Sequence, residues 1–282
     1  MRESRPSKLL TSRVKRLRLE TNNPTLACHT PDHMPDLKTF CRIALIRPLR
    51  LLTTEPLVIM ISTMSAISWG LIYLLTDSLP TIAETFPIRF PTSSLPFLAL
   101  AAGILISIFP RLWVMRIIRR RTAQNKPIAP EDKIIGFSLA APALAIGLWL
   151  FAWTIPPVIR PALMPYWHWT IPMVGLILIG FAANEMAYTL SGYLADAYTI
   201  YASSAFASLA FARALVSGLM PLFGFKLVEA AGANWAMSVL AGAATLFCIC
   251  PWLFVVWGRR LREESAFVKE VSKLDAEAGV RA

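Results

Sequence analysis

Charge is scarce in this sequence: Asp, Glu, Lys and Arg make up only 16% of its 282 residues, whereas 56% are hydrophobic, and the mean hydropathy is +0.55. A water-soluble domain carries about 25% charged residues, so a soluble fold is excluded. Four cysteines do not supply a disulfide framework for a chain of this length. Cys248 and Cys250 lie in an apolar stretch, where thiols behave as small hydrophobic groups. Cys28, His29, His33 and Cys41 form the one cluster with metal-ligand chemistry, but its spacing matches no zinc pattern and Pro31 and Pro35 interrupt it, so no metal is expected. Also missing are a glycine loop that cradles phosphate, a zinc-protease helix and a nucleophile elbow. Neither an enzyme nor a cofactor is expected.

What the sequence has instead is a series of long apolar blocks, at about residues 56–77, 95–115, 134–154, 169–190, 198–223 and 235–257. Each is close to the ~20 residues that a helix rising ~1.5 Å per residue needs to cross a ~30 Å hydrocarbon core. The blocks are continuously apolar and rich in Leu, Ile, Ala and Met; barrel strands would be short and alternating. The expected fold is therefore an all-α integral membrane domain of six transmembrane helices over residues 46–258. It is flanked by a basic, irregular tail (1–45) and a second tail (259–282). Pro110, Pro142, Pro172, Gly180, Pro221 and Pro251 inside the blocks predict kinked helices, since bundled membrane helices can re-satisfy the freed backbone groups.

The net charge of +11 could point to nucleic acid, but the basic residues border the apolar blocks and form no separate basic domain, so nucleic acid is not an expected partner and the lipid bilayer is. Eleven Lys and Arg precede the first block, seven lie in 111–133 and six follow residue 257, all in connections that share one side. Arg89, Arg160, Arg213 and Lys226 are the exceptions. The positive-inside rule then places both termini in the cytosol. The first 45 residues hold no apolar h-region, so a secretory signal is excluded; a mitochondrial presequence is the alternative reading of the same arginines. Trp113, Trp149, Trp153, Trp167, Trp169, Trp235, Trp252 and Trp257 lie near block ends, where amphipathic rings sit at headgroup level, and Arg111 and Arg116 can snorkel to the same level.

Blocks four and five carry an unusual polar set: Asn184, Glu185, Tyr188, Tyr193, Asp196, Tyr198, Tyr201 and Arg213. A charge at mid-membrane costs about 2.5–3.5 kcal/mol on insertion scales, so such residues face a cavity or a partner. Glu185 reads either as a group that exchanges protons with a water-filled cavity or as one that satisfies a kink. Arg213 reads as its ion-pair partner or as a tie between helices. Asp196 is placed at a helix start on the cytosolic side, as an N-cap or as the partner of a loop cation. The small residues Ala202, Ser203, Ser204, Ala205, Ala207, Ser208, Ala210 and Ala212 predict that block five packs in the middle of the bundle. Trp69 and Tyr73, four apart and so on one helical face, form either an aromatic wall for an organic substrate or a packing pair.

Several segments resemble the fungal drug:proton antiporters of the major facilitator superfamily. Arg47-Pro48-Leu49-Arg50-Leu51-Leu52 followed by Glu55-Pro56 resembles the approach to that family's seventh helix, and Trp69-Gly70-Leu71-Ile72-Tyr73 resembles its Tyr-Gly-x-x-Tyr, with Trp for the first Tyr. Ala129-Pro130-Glu131-Asp132-Lys133 is similar to the segment before the ninth helix. The most specific match is Tyr193-Leu194-Ala195-Asp196-Ala197-Tyr198, continued by Arg213-Ala214-Leu215 and Pro221-Leu222-Phe223; Gly192 stands where the family has Asn. Asn234-Trp235-Ala236 resembles the start of the last helix. The likeness covers about residues 42–265 and leaves those before 40 unmatched. It implies helices seven to twelve of a twelve-helix, proton-driven exporter of drugs, polyamines or similar organic compounds, located in the plasma membrane. The candidate substrate and proton path is then Glu185, Asn184, Tyr188, Trp69, Tyr73 and Tyr201, along blocks one, four and five. Because the other six helices are missing, the expected alternatives are pairing with a second half or copy, or a non-transporting chain that acts through helix association. No threefold Pro–acid–base repeat of mitochondrial carriers is present.

Overall fold

The computed structural model describes residues 6–21, 42–83, 94–124, 135–155 and 170–264, and every regular element among them is helical. Pro6–Thr21 forms α1, where an irregular tail was expected. Its composition explains this: proline is pre-organised for the first helical position, and the Leu, Lys and Arg that follow are good helix formers. After a π-helical turn, Arg42–Ile46, come the short α2 (Arg47–Thr54) and the long α3 (Pro56–Ala83). The others are α4 (Leu95–Ile106), α5 (Ile108–Ala123), α6 (Ile135–Thr154), α7 (Thr170–Tyr198), α8 (Ala202–Ala231), α9 (Ala233–Phe247) and α10 (Ile249–Glu264). The Cys28–Cys41 cluster, Arg89, Arg160, Trp167, Trp169 and the segment ending at Lys133 lie outside the described residues.

Among the described residues six stretches are long and apolar enough to cross a membrane: Pro56–Ile82, Leu95–Arg121, Ile135–Thr154, Thr170–Tyr198, Ala202–Ala231 and Ala233–Phe254. Several outrun the apolar blocks. The second continues through Arg116, Arg119, Arg120 and Arg121, cations that favour a helix C-terminus. Two spans are broken, at Ser107 and Cys248, and each break lies three residues before a proline, Pro110 or Pro251. Proline has no N–H for the carbonyl four residues back, and its ring crowds that carbonyl, so the ladder fails at Ile106 and Phe247. Pro142 and Pro221 sit inside unbroken helices.

Packing is organised around α7, which lies against α6 and α4; α3 pairs with α8, and α9 with α6. Glycines allow the α7 crossings. A side chain at Gly103 would strike the Ile177 carbonyl, and one at Gly180 the Leu100 carbonyl; Gly147 and Gly175 would each place a Cβ 2.8 Å from the other's carbonyl oxygen. Such contacts let membrane helices approach backbone to backbone. Phe137 meets Phe247 edge-on at 5.9 Å, and Tyr193 meets Phe254 at 4.8 Å. The Asn234 amide donates to the Ala152 and Ile155 carbonyls (2.9 and 3.0 Å), closing the α6 C-terminus.

Many large apolar side chains face outward, among them Phe109, Leu139, Trp153, Leu222, Phe223 and Trp252. On a soluble protein such a surface would aggregate; in lipid it is the required exterior. Burial is uneven between spans. It reaches 67% of the apolar window in Pro56–Ile82 but only 17% in Leu95–Arg121 and in Ala202–Ala231. Small residues were expected to put block five in the middle of the bundle. Instead α8 uses one face against α3 and leaves Ser203, Ala207, Ala210, Ala214 and Gly218 exposed.

Candidate functional site

Glu185 lies near the middle of α7, about 20 Å from either end at about 1.5 Å per residue, and is 2% exposed. Its partner comes from the second span. Arg111 Nε lies 3.3 Å from Glu185 Oε2, and Arg111 Nη2 donates to the Asn184 carbonyl at 3.0 Å. The guanidinium also lies 4.2 Å from the Tyr188 ring centroid. One turn earlier the Asn184 amide donates to Ser107 Oγ at 2.7 Å, at the break above Pro110. The other Glu185 oxygen sits against Gly136 of α6, where a Cβ would collide with it. Glu185 is thus held between α5 and α6, one carboxylate oxygen toward each.

This arrangement overturns the proposed approach of Glu185 to Arg213. Arg213 stands on the α8 face that meets α3, with its guanidinium 4.9 Å from the Trp69 ring, and Trp69 stacks obliquely on Tyr73 at 6.0 Å. Nor does Arg111 snorkel outward. The helix runs on for ten further residues to Arg121, so Arg111 lies well inside the span and turns toward α7. Treating the apolar block as the whole span hid this. The clue available in the sequence was Pro110, whose break re-aims the residue that follows.

A cavity of about 230 Å³ opens on the pair, lined by Arg111, Met115, Glu185, Tyr188, Thr189 and Phe206 among others. Of the expected path residues it brings together Glu185 and Tyr188, with Asn184 adjoining through Arg111. Trp69 and Tyr73 stand apart on α3, and Tyr73 is 46% exposed. Tyr201 belongs to a second cluster at the arginine-rich end, where the Arg47 guanidinium lies 5.2 Å from its ring and the Tyr198 hydroxyl donates to Glu55 Oε2 at 3.2 Å. Glu55, 3% exposed, is a buried acid that lies just before the first apolar block and so fell outside the polar set of blocks four and five. Asp196 lies in the last turn of α7 and not at a helix start; the chain turns into α8 only after Thr199, whose φ of 24° marks the corner.

Among the described residues, six helices long and apolar enough to cross a membrane define a multi-pass membrane protein. Several curated proteins are similar to it. The chain is 29% identical over 273 residues to the efflux pump radE of Floropilus chiversii, covering 95% of this chain and 49% of that protein. It is 27% identical over 267 residues to the MFS-type transporter atr4 of Stereocaulon alpinum, covering 94% and 47%. With the MFS-type efflux pump MFS2 of Trichophyton rubrum it shares 31% identity over 231 residues, 81% of this chain and 38% of that one. The chain is thus similar to proteins named as MFS-type transporters and efflux pumps, and it spans about half the length of the curated relatives it matches. The radE match, at 95% of the chain, reaches into the basic segment before residue 40 that the motif resemblance left unmatched. No family model matches the chain, and no solved structure matches it.

Proposed function

We propose that this chain forms the six-helix half, equivalent to helices seven to twelve, of a proton-coupled major facilitator exporter of small organic compounds. The carrying observation is the Arg111–Glu185 pair, with Glu185 buried at mid-span and Arg111 half-buried on a cavity between the second, fourth and fifth spans. An ionisable pair at that depth costs too much to keep for packing alone, and Glu185 is the member that a proton can neutralise. In this reading Glu185 holds the coupling proton, Arg111, Asn184 and Tyr188 position it, and the arginine-rich end faces the cytosol of a plasma-membrane protein. Relatives named as efflux pumps and transporters support the direction and the class.

The poorly buried faces of Leu95–Arg121 and Ala202–Ala231 are where a second six-helix half would pack, supplied by another chain or another copy. A second reading, association with a partner without transport, is favoured by the small and apolar outer face of α8. The test is flux of labelled organic compounds into vesicles holding the purified chain, with and without a proton gradient, alongside its oligomeric state. Gradient-dependent flux that Glu185→Gln removes without loss of insertion is the expected result. A correctly inserted chain with no flux, or unchanged coupling in Glu185→Gln, would overturn the proton role.

A further inference from the structure

The charge arithmetic of the cavity narrows what it can hold. Its lining contains one group that stays cationic at every accessible pH, Arg111, and one that a proton can neutralise, Glu185. Tyr188 contributes a neutral ring beneath the guanidinium. The elements packed around Glu185 carry their other charges elsewhere along the span: α6 contains no ionisable residue, Arg116 and Arg119–Arg121 lie five or more residues beyond Arg111 on α5, Asp196 lies in the last turn of α7, Arg213 of α8 is turned to Trp69, and Lys226 and Glu229 lie in the far half of α8, none of them lining the cavity. The site's net charge is therefore zero with Glu185 ionised and +1 with Glu185 protonated. The lining by itself never reaches −1, the state that would favour a cationic guest most.

Geometry singles out where an anion would sit. Arg111 uses Nε on Glu185 and Nη2 on the Asn184 carbonyl; its remaining N–H groups have no acceptor among the described residues, and its side chain is 21% exposed against 3% for Glu185. A guanidinium fork matches a carboxylate. Apolar Val114, Met115, Ile118 and Phe206 complete the wall, suited to an organic body attached to that group.

We infer that the cavity between α5, α7 and α8 is a binding site for organic acids, whose carboxylate replaces Glu185 on Arg111 when Glu185 takes up a proton. The inference rests on reading this cavity as the transport site, and it deepens that reading by naming the substrate class. Cationic drugs and polyamines, which the family resemblance suggested, are poor guests. Anion and proton bind together, so each acid that occupies the site brings one proton onto Glu185.

The test uses three probes that share one ring system and differ in charge: 1-naphthoate, neutral 1-naphthamide and 1-naphthylmethylammonium. Binding to the full chain in detergent is measured over a pH series, with proton uptake followed by calorimetry in two buffers of different ionisation enthalpy. Naphthoate is expected to bind at least tenfold more tightly than the other two, to tighten by up to tenfold per unit fall in pH, and to take up about one proton per molecule bound. Glu185→Gln, which holds the site at +1, is expected to bind naphthoate without pH dependence. Arg111→Gln is expected to lose naphthoate at least tenfold while keeping its weak affinity for the amide. Preference for the ammonium probe, equal binding of acid and amide, or continued pH dependence in Glu185→Gln would each overturn the inference; the last needs no folded Arg111 variant. Flux and binding separate the two proposals: cation flux without naphthoate binding sinks only the substrate class, and naphthoate binding without flux of any compound sinks only the transport reading.

Discussion

At the scale of single residues, the pair at mid-span sets the energetics. Truncating Arg111 leaves a carboxylate buried and unpaired, a change that costs about 3–5 kcal/mol when one partner of a buried pair is removed. Arg111→Ala should therefore lower the amount of folded protein recovered in detergent, and adding Glu185→Gln should restore most of it. Recovery in the double variant no better than in the single one would mean that Arg111 acts through packing and not through charge. Glu185 was legible in the sequence because an acid in an apolar block is costly wherever it sits. Its partner was not, because Arg111 and Arg213 are both basic residues of neighbouring spans, and choosing between them takes a contact across 74 positions.

Among elements, the crossings of α7 depend on glycine. At Gly103 a methyl group meets backbone, which cannot rotate away as a side-chain tip can, so the α4 and α7 axes must separate. Gly103→Ala is expected to destabilise the chain by about 1–3 kcal/mol, read as a lower detergent unfolding temperature. Gly192→Ala, with nothing within 4 Å of the new methyl, is the matched control and should unfold at the temperature of the parent chain or slightly above. Equal effects at the two sites would refute the close approach. Existence and approximate length of the six spans followed from hydrophobic runs alone. Which prolines break a helix did not: Pro110 and Pro251 interrupt their spans while Pro142 and Pro221 are absorbed, because neighbouring helices decide whether a freed carbonyl can be accommodated.

On the scale of the whole molecule, two spans present largely unburied faces. If a second copy covers the outer face of α8, a cysteine at exposed Gly218 should cross-link between chains in the membrane, in a background with Cys28, Cys41, Cys248 and Cys250 changed to serine. Cross-linking equal to that of a cysteine at lipid-facing Leu139 would indicate random collision and remove the case for a paired copy at this face.

The amino-acid sequence by itself determined the membrane class, the six spans, the arginine-rich side and the presence of a costly acid at mid-depth. Each follows from local physics: transfer of apolar residues to hydrocarbon, attraction of cations to one leaflet and the cost of burying charge. Only the tertiary structure decided which base neutralises Glu185, that α8 is peripheral and not central, and that Arg111 faces inward. Membrane helices are apolar all round, so their patterns carry almost no information about which face meets which neighbour. That choice is made by small-residue contacts and buried polar pairs between segments far apart in the chain.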